Sequence, residues 1–168
     1  LNKLNLGCGP DVISGWTNVD IVKTDPSVEY WDAVLNVVPE NWKNKFDFIL
    51  INHVLCTMPY NSVRVVLRKV MEMLKDGGRV QIIDVNLRKA IEDWRLNDCE
   101  NIPITGGTPD WKLCMHLSGY STRLSLFTPN VLYTLLKEAG FSEGNIWDAG
   151  DSEYDLRPLE SLVVEATK

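Results

Sequence analysis

Near its start the chain reads Leu4-Asn5-Leu6-Gly7-Cys8-Gly9-Pro10, and Asn18-Val19-Asp20 follows shortly after. An apolar run entering a two-glycine turn, with an acidic residue closing the next run, constrains the fold more than any other stretch. It is how an open α/β sheet makes a floor for a nucleoside ligand at the carboxyl ends of its strands. Glycine is needed because a Cβ would obstruct both the tight turn and the approach of a ligand to the backbone. Only ten residues separate Gly9 from Asp20, so the helix usual after a first strand must be short or replaced by a loop.

The rest of the chain alternates strand-like and helix-like runs, which predicts a mostly parallel α/β sheet. Strands are expected at Lys3–Leu6, Thr17–Asp20, Ala33–Val37 and Phe46–Asn52, the last nearly continuous in apolar residues. Across Asn61–Lys75, residues Val63, Val66, Leu67, Val70 and Leu74 keep the spacing of one helical face. Asp76-Gly77-Gly78 predicts a left-handed exit from that helix. A strand at Arg79–Val85 and a helix at Leu87–Leu96 follow. Residues 98–126 carry turn chemistry without a long period, the mark of a binding lid rather than a linker. Thr128-Pro129 reads as an N-cap and first turn, with Val131, Leu132, Leu135, Leu136 and Ala139 on the buried face and Gly140 at the exit. Strands near Asn145–Asp148 and Glu160–Ala166 complete a single domain over 1–168.

Composition limits the partners. Net charge is −6, and no cluster of Lys and Arg exceeds a pair, so a nucleic acid is not the expected ligand. The longest apolar runs are strand-sized, so no membrane span is expected. Cys8, Cys56, Cys99 and Cys114 lack C-x-x-C spacing, which favours buried thiols in a reducing, cytoplasmic compartment. No signal-peptide pattern opens the chain, which begins at Leu1 rather than an initiator methionine. No cluster has metal-ligand spacing, so no metal is expected. Oligomeric state is left open.

The turn itself selects among nucleosides. Dinucleotide binding calls for a third glycine, where this chain has Gly7-Cys8-Gly9-Pro10-Asp11-Val12. Pro10 also removes an N–H where a pyrophosphate seeks donors. A nicotinamide oxidoreductase is therefore the weaker alternative, and the site suits a nucleoside without phosphates.

Leu4–Pro10 followed by Gly15-Trp16-Thr17-Asn18-Val19-Asp20 resembles the first two motifs of class I S-adenosylmethionine-dependent methyltransferases. Phe46-Asp47-Phe48-Ile49, His53-Val54-Leu55 and Leu74-Lys75-Asp76-Gly77-Gly78-Arg79-Val80 extend the likeness, which is close over 4–85 and loose over 127–166. It implies a Rossmann-like, doubly wound, seven-stranded sheet whose last strand is antiparallel, with S-adenosyl-L-methionine as cofactor. By the same resemblance Leu6, Gly7, Cys8 and Gly9 form the floor under the methionine and ribose, with Asp20 on the ribose hydroxyls and Ile21 beside it. Asn36 stands where the family has an aspartate that reads the adenine amino group, or else caps a turn. Asn52 and His53 would line the space between cofactor and acceptor.

For chemistry the candidates are His53, His116 and Asp84, each a base or an acceptor contact. Trp94, Trp111 and Tyr120 offer ring faces to a cation or serve as packing. Where the family has an acid and a histidine after the fourth strand, this chain reads Leu55-Cys56-Thr57. The expectation is a methyltransferase acting on a small molecule or sugar-like metabolite beneath residues 98–126. A cofactor-binding module without turnover is the alternative.

Overall fold

A computed structural model describes residues 1–97, 108–118, 123–147, 150–158 and 160–168. Seven strands form one sheet: β1 (Lys3–Leu6), β2 (Thr17–Asp20), β3 (Glu29–Tyr30), β4 (Phe46–Asn52), β5 (Leu74–Val85), β6 (Glu143–Trp147) and β7 (Ser161–Thr167). Their spatial order is β3-β2-β1-β4-β5-β7-β6. Pairing is parallel from β3 through β5, and β7 runs antiparallel to both β5 and β6. The mixed, Rossmann-like sheet is the one the sequence implied.

Three expectations need correction. The third strand is the two-residue β3, not Ala33–Val37, which forms a turn whose carbonyls are held by Lys69. Helix α1 (Tyr60–Met73) has no left-handed exit, because Leu74 is already extended and paired with Phe46. The register then jumps to Phe48 opposite Arg79, so Lys75–Gly78 bulge out of the sheet. Within 98–126 the chain forms helix α3 (Pro109–Ser118), which packs on α2 (Leu87–Arg95); Trp94 Nε1 donates to Asp110 Oδ1 across that contact at 2.9 Å. Residues 98–107 and 119–122, with Cys99 and Tyr120, lie outside the described residues.

Helix α4 (Pro129–Ala139) follows its sequence signals at both ends. Thr128 Oγ1 accepts from the Val131 N–H, and Gly140 closes the helix at φ 105°. Val131 itself is exposed, so the buried face is Leu132, Leu135 and Leu136. Cys8 and Cys56 are buried free thiols, whereas Cys114 on α3 is exposed. Among the described residues no helix is long and apolar enough to cross a membrane.

The two sheet faces are covered differently. Leu4, Leu6, Val19, Ile49, Ile51, Val80 and Ile82 point to one face and pack under α1 and α4 in the main core. The alternate residues point to the other face, where Leu50, Ile83 and Val163 meet Ile13, Trp16, Phe48, Trp147 and Tyr154. There Trp16 stands edge-on to Phe48 and Tyr154, with ring centroids 5.7 and 5.3 Å away. Loops cover this side where β1 passes to β2.

Two buried asparagines make that possible. Asn5 and Asn18 lie opposite each other in the β1–β2 register and face the loop side. Asn5 Nδ2 donates to Asn18 Oδ1 and to the Asp11 carbonyl. Asn18 Oδ1 accepts from the Ile13 N–H, and Asn18 Nδ2 donates to the Ile13 and Trp16 carbonyls. The loop 10–16 is thus bonded to the sheet through side-chain amides, where an amphipathic helix would use apolar contact. Asn18→Ala removes these bonds and strands buried backbone groups, so it should lower unfolding stability by about 3 kcal/mol. Asn130→Ala, at an exposed site on α4, should change it by less than about 0.5 kcal/mol in the same urea titration.

Candidate functional site

The carboxyl ends of β1, β2, β3 and β4 meet at one rim, and the turns that leave them form the site. After β1 the Gly7 and Cys8 N–H groups both donate to the Val19 carbonyl, at 2.8 and 3.1 Å, folding the glycine turn across the end of β2. Gly9 N–H donates to Asp20 Oδ2 at 2.9 Å, and Val22 N–H donates to Asp20 Oδ1 at 2.9 Å. Thr24 Oγ1 donates to the Gly9 carbonyl. Asp20 therefore organises the loop with one bond to each oxygen and keeps lone pairs on both for a ligand.

The two glycines serve different needs. Gly7 sits at φ +70°, and a Cβ there would stand 2.4 Å from Val54 Cγ2, so the turn after β4 closes directly over it. Gly9, at φ +52°, has no atom within 4 Å of where a Cβ would be, so the turn opens onto empty space. Leu6 turns its side chain into the core and contributes backbone only. Cys8 is buried, and burial, then the Asp20 charge, pushes its thiol pKa up, which argues against a nucleophile. Ile21, next to Asp20 in sequence, is 59% exposed, and Leu35, in the turn after β3, is 80% exposed.

The turn after β3 holds a residue that the sequence reading missed. Asp32 Oδ1 accepts from the Val34 and Leu35 N–H groups, at 2.8 and 2.9 Å. Asn36 Oδ1 accepts from the Asp32 N–H at 2.8 Å, which is the turn-capping arrangement. The first acidic residue after β3 is thus Asp32, four positions before Asn36. A two-residue strand leaves no alternation to mark its end, so only the acidic type of Asp32 signalled it.

Past β4 the chain turns sharply at His53, whose φ of +54° is rare for a residue with a Cβ. Its N–H donates to the Ile83 carbonyl at 2.8 Å, which fixes the turn. Asn52 Nδ2 donates to the Tyr154 carbonyl, while the buried Asn52 Oδ1 has no partner among the described residues. The His53 ring reaches toward β7, where Nε2 lies 3.5 Å from Ser161 Oγ. Burial, then the nearby Arg157 guanidinium, lowers the His53 pKa to about 4, although Glu160 opposes. The ring is neutral at pH 7. Arg123 and Arg157 both lie against Glu160, at 3.7 and 3.4 Å.

Asp84 is not at the rim. It is fully buried, with Oδ2 accepting from the Cys56 N–H and Oδ1 from the Val85 N–H, so it ties the turn after β4 to β5. Burial raises its pKa to about 6. A carboxylate without exposed surface cannot meet an acceptor. His116 lies on α3, and its side chain is outside the described residues. No group of three His, Cys, Asp or Glu side chains among the described residues is arranged to hold a metal ion.

Set against a sulfonium nucleoside, these features fit. The open side of Gly9 leaves room for a ribose, and Asp20 has lone pairs for two hydroxyls. Asn52 Oδ1, at the end of β4, is a buried acceptor with no donor among the described residues.

Comparison with known proteins agrees with that geometry. The sequence profile of the methyltransferase-domain family matches residues 3–143. The N-methyltransferase verN of Clonostachys rogersoniana is 24% identical over 129 residues, which is 77% of this chain and 38% of verN. The chain thus spans little more than a third of that relative. A SAM-dependent methyltransferase from Archaeoglobus fulgidus has the same fold, with a TM-score of 0.63 at 14% identity over 99% of this chain and 86% of that one. So has phosphoethanolamine N-methyltransferase 2 of Haemonchus contortus, solved with S-adenosyl-L-methionine, with a TM-score of 0.62 at 14% identity over 99% of this chain and 48% of that one.

His53 and Asp84 make opposite demands on stability between pH 4 and 6. The depressed His53 pKa means that unfolding takes up a proton, so its contribution is full above about 6.5 and is lost as pH falls toward 4. The raised Asp84 pKa gives a contribution that is full below about 3.8 and is lost as pH rises through 6. Each slope is at most about 1.4 kcal/mol per pH unit, and they offset each other. In urea unfolding from pH 4 to 7, Asp84→Asn should gain stability relative to the unsubstituted protein as pH rises. His53→Gln should gain as pH falls.

Proposed function

The chain belongs to the methyltransferase-domain family, and from that membership we propose that it transfers a methyl group from S-adenosylmethionine to a small-molecule or sugar-like acceptor. The observation that carries this is the Gly9–Asp20 bond, which sets a carboxylate over an open glycine turn at the ends of β1 and β2. When bound, the cofactor supplies an electrophilic methyl group on a sulfonium.

In this reading Asp20 accepts from the two ribose hydroxyls. Leu6, Gly7, Cys8 and Gly9 give the backbone floor, and Ile21 lies along the nucleoside. Asp32 takes over the adenine amino group from Asn36, whose carbonyl caps the turn. Asn52, at the end of β4, lines the space between cofactor and acceptor. Methyl transfer is an in-line displacement, and the protein's main task is to align the acceptor. His53 faces that acceptor as a neutral hydrogen-bonding ring. A pKa of about 4 makes it a weak proton acceptor at pH 7, so its role is orientation more than proton removal. The acceptor enters beneath residues 98–126, which complete the single domain as a lid.

The enclosure of Asp84 favours one second reading, a module that holds the cofactor without turnover. Calorimetry with S-adenosylmethionine and S-adenosylhomocysteine tests the first claim. Micromolar binding is expected, with Asp20→Ala weakening it at least about tenfold through loss of charge-assisted hydrogen bonds. Absence of binding at millimolar ligand would refute the proposal. Binding without methylation of any small-molecule acceptor in a broad panel would favour the module.

A further inference from the structure

We infer that Lys69, on α1, is a positioning residue for the purine end of the cofactor, holding the turn that carries Asp32 in the orientation that reads an exocyclic amino group. The inference rests on the cofactor reading above. Lys69 lies on the helix behind the turn, and its ammonium donates to the carbonyls of Ala33, Val34 and Asn36, at 2.9, 2.8 and 2.6 Å. An ammonium has three protons, and all three are directed into this one turn.

The opposite pole of the turn is equally specified. Val34 and Leu35 N–H groups donate to Asp32 Oδ1, and the Asn36 N–H donates to the Asp32 carbonyl at 2.9 Å. The turn therefore has a carboxylate at its amide pole and an ammonium at its carbonyl pole, as an isolated helical turn would prefer. Asp32 Oδ1 accepts from two donors, which fixes the carboxylate's torsion and leaves Oδ2 as the oxygen for a ligand. Without Lys69 three convergent carbonyls lose their common partner. The turn must then open, and Asp32 loses the direction its carboxylate needs.

A group acting this way controls discrimination rather than binding in general. A site built to accept from an amino group rejects an analogue that carries a carbonyl oxygen there. Isothermal titration with S-adenosylhomocysteine and S-inosylhomocysteine, which differ at that position, reads the discrimination directly and without turnover. The unsubstituted protein should prefer the adenosyl compound by about 100-fold. Lys69→Met should reduce the preference to less than about tenfold, mainly by weakening the adenosyl compound. Lys69→Gln, whose amide keeps two N–H donors on a shorter stem, should fall between and serves if Lys69→Met does not fold. Adding Lys69→Met to Asp32→Ala should change the ratio no further, because the effect passes through Asp32.

Equal weakening of both compounds, with the ratio unchanged, would mean a merely structural lysine, and affinities unchanged for both would mean no role at all. Either result overturns the inference while the cofactor reading stands. If the unsubstituted protein bound neither compound, both would fall together.

Discussion

The amide pair between Asn5 and Asn18 is the interaction on which the rest of this structure depends. Parallel strands are normally joined by a crossover of a dozen or more residues, usually a helix that covers the sheet. Here ten residues, 7–16, join β1 to β2, and two side chains in register give that short loop its hydrogen-bond partners. The short path brings Gly9 directly against Asp20. Buried amides are costly when unpaired, so the arrangement holds only because each has its partners.

Around that pair the rim is assembled by interlocking turns. Val54 follows His53 and leans over Gly7, so the left-handed turn after β4 and the glycine turn after β1 fit only together. Asp84 reinforces the first from beneath by bonding the Cys56 N–H. Lys69 reinforces the turn after β3 from α1. Three of the turns that shape the site thus depend on groups from other elements.

That dependence explains what sequence could and could not reveal. The glycine turn, Asp20, the Phe46–Asn52 strand and the capped helix from Pro129 were legible because their signals are local: a φ requirement, a strand-end charge, an apolar run, an N-cap. Ala33–Val37 read as a strand because alternation alone says nothing of an ammonium arriving from residue 69. Asn36 reads as the adenine contact for the same reason, since a misplaced strand shifts the position of its end. Asp84 looked like a rim residue because it lies near the end of a strand, yet the turn after β4 folds over it. Helix α3 lacks a strong apolar face, so its sequence carries little period. The substrate-side chemistry was legible only as a departure from the family pattern.

One consequence of the strand order concerns how the chain reaches its final state. β7 lies between β5 and β6, so the last of the seven strands to be made occupies an interior place in the sheet. Until Ser161–Thr167 leaves the ribosome, the long edge of β5, with Val80, Ile82, Ile83 and Val85, has no partner. An unpaired apolar edge is the hazard in any nascent β-structure, where it invites pairing with a neighbouring chain. The β5–β7 pairing also joins residues distant in sequence, which makes it slow to form. The nascent chain must therefore carry its glycine turn, already local and compact, beside a half-built sheet, and only β7 gives β5 and β6 their shared partner.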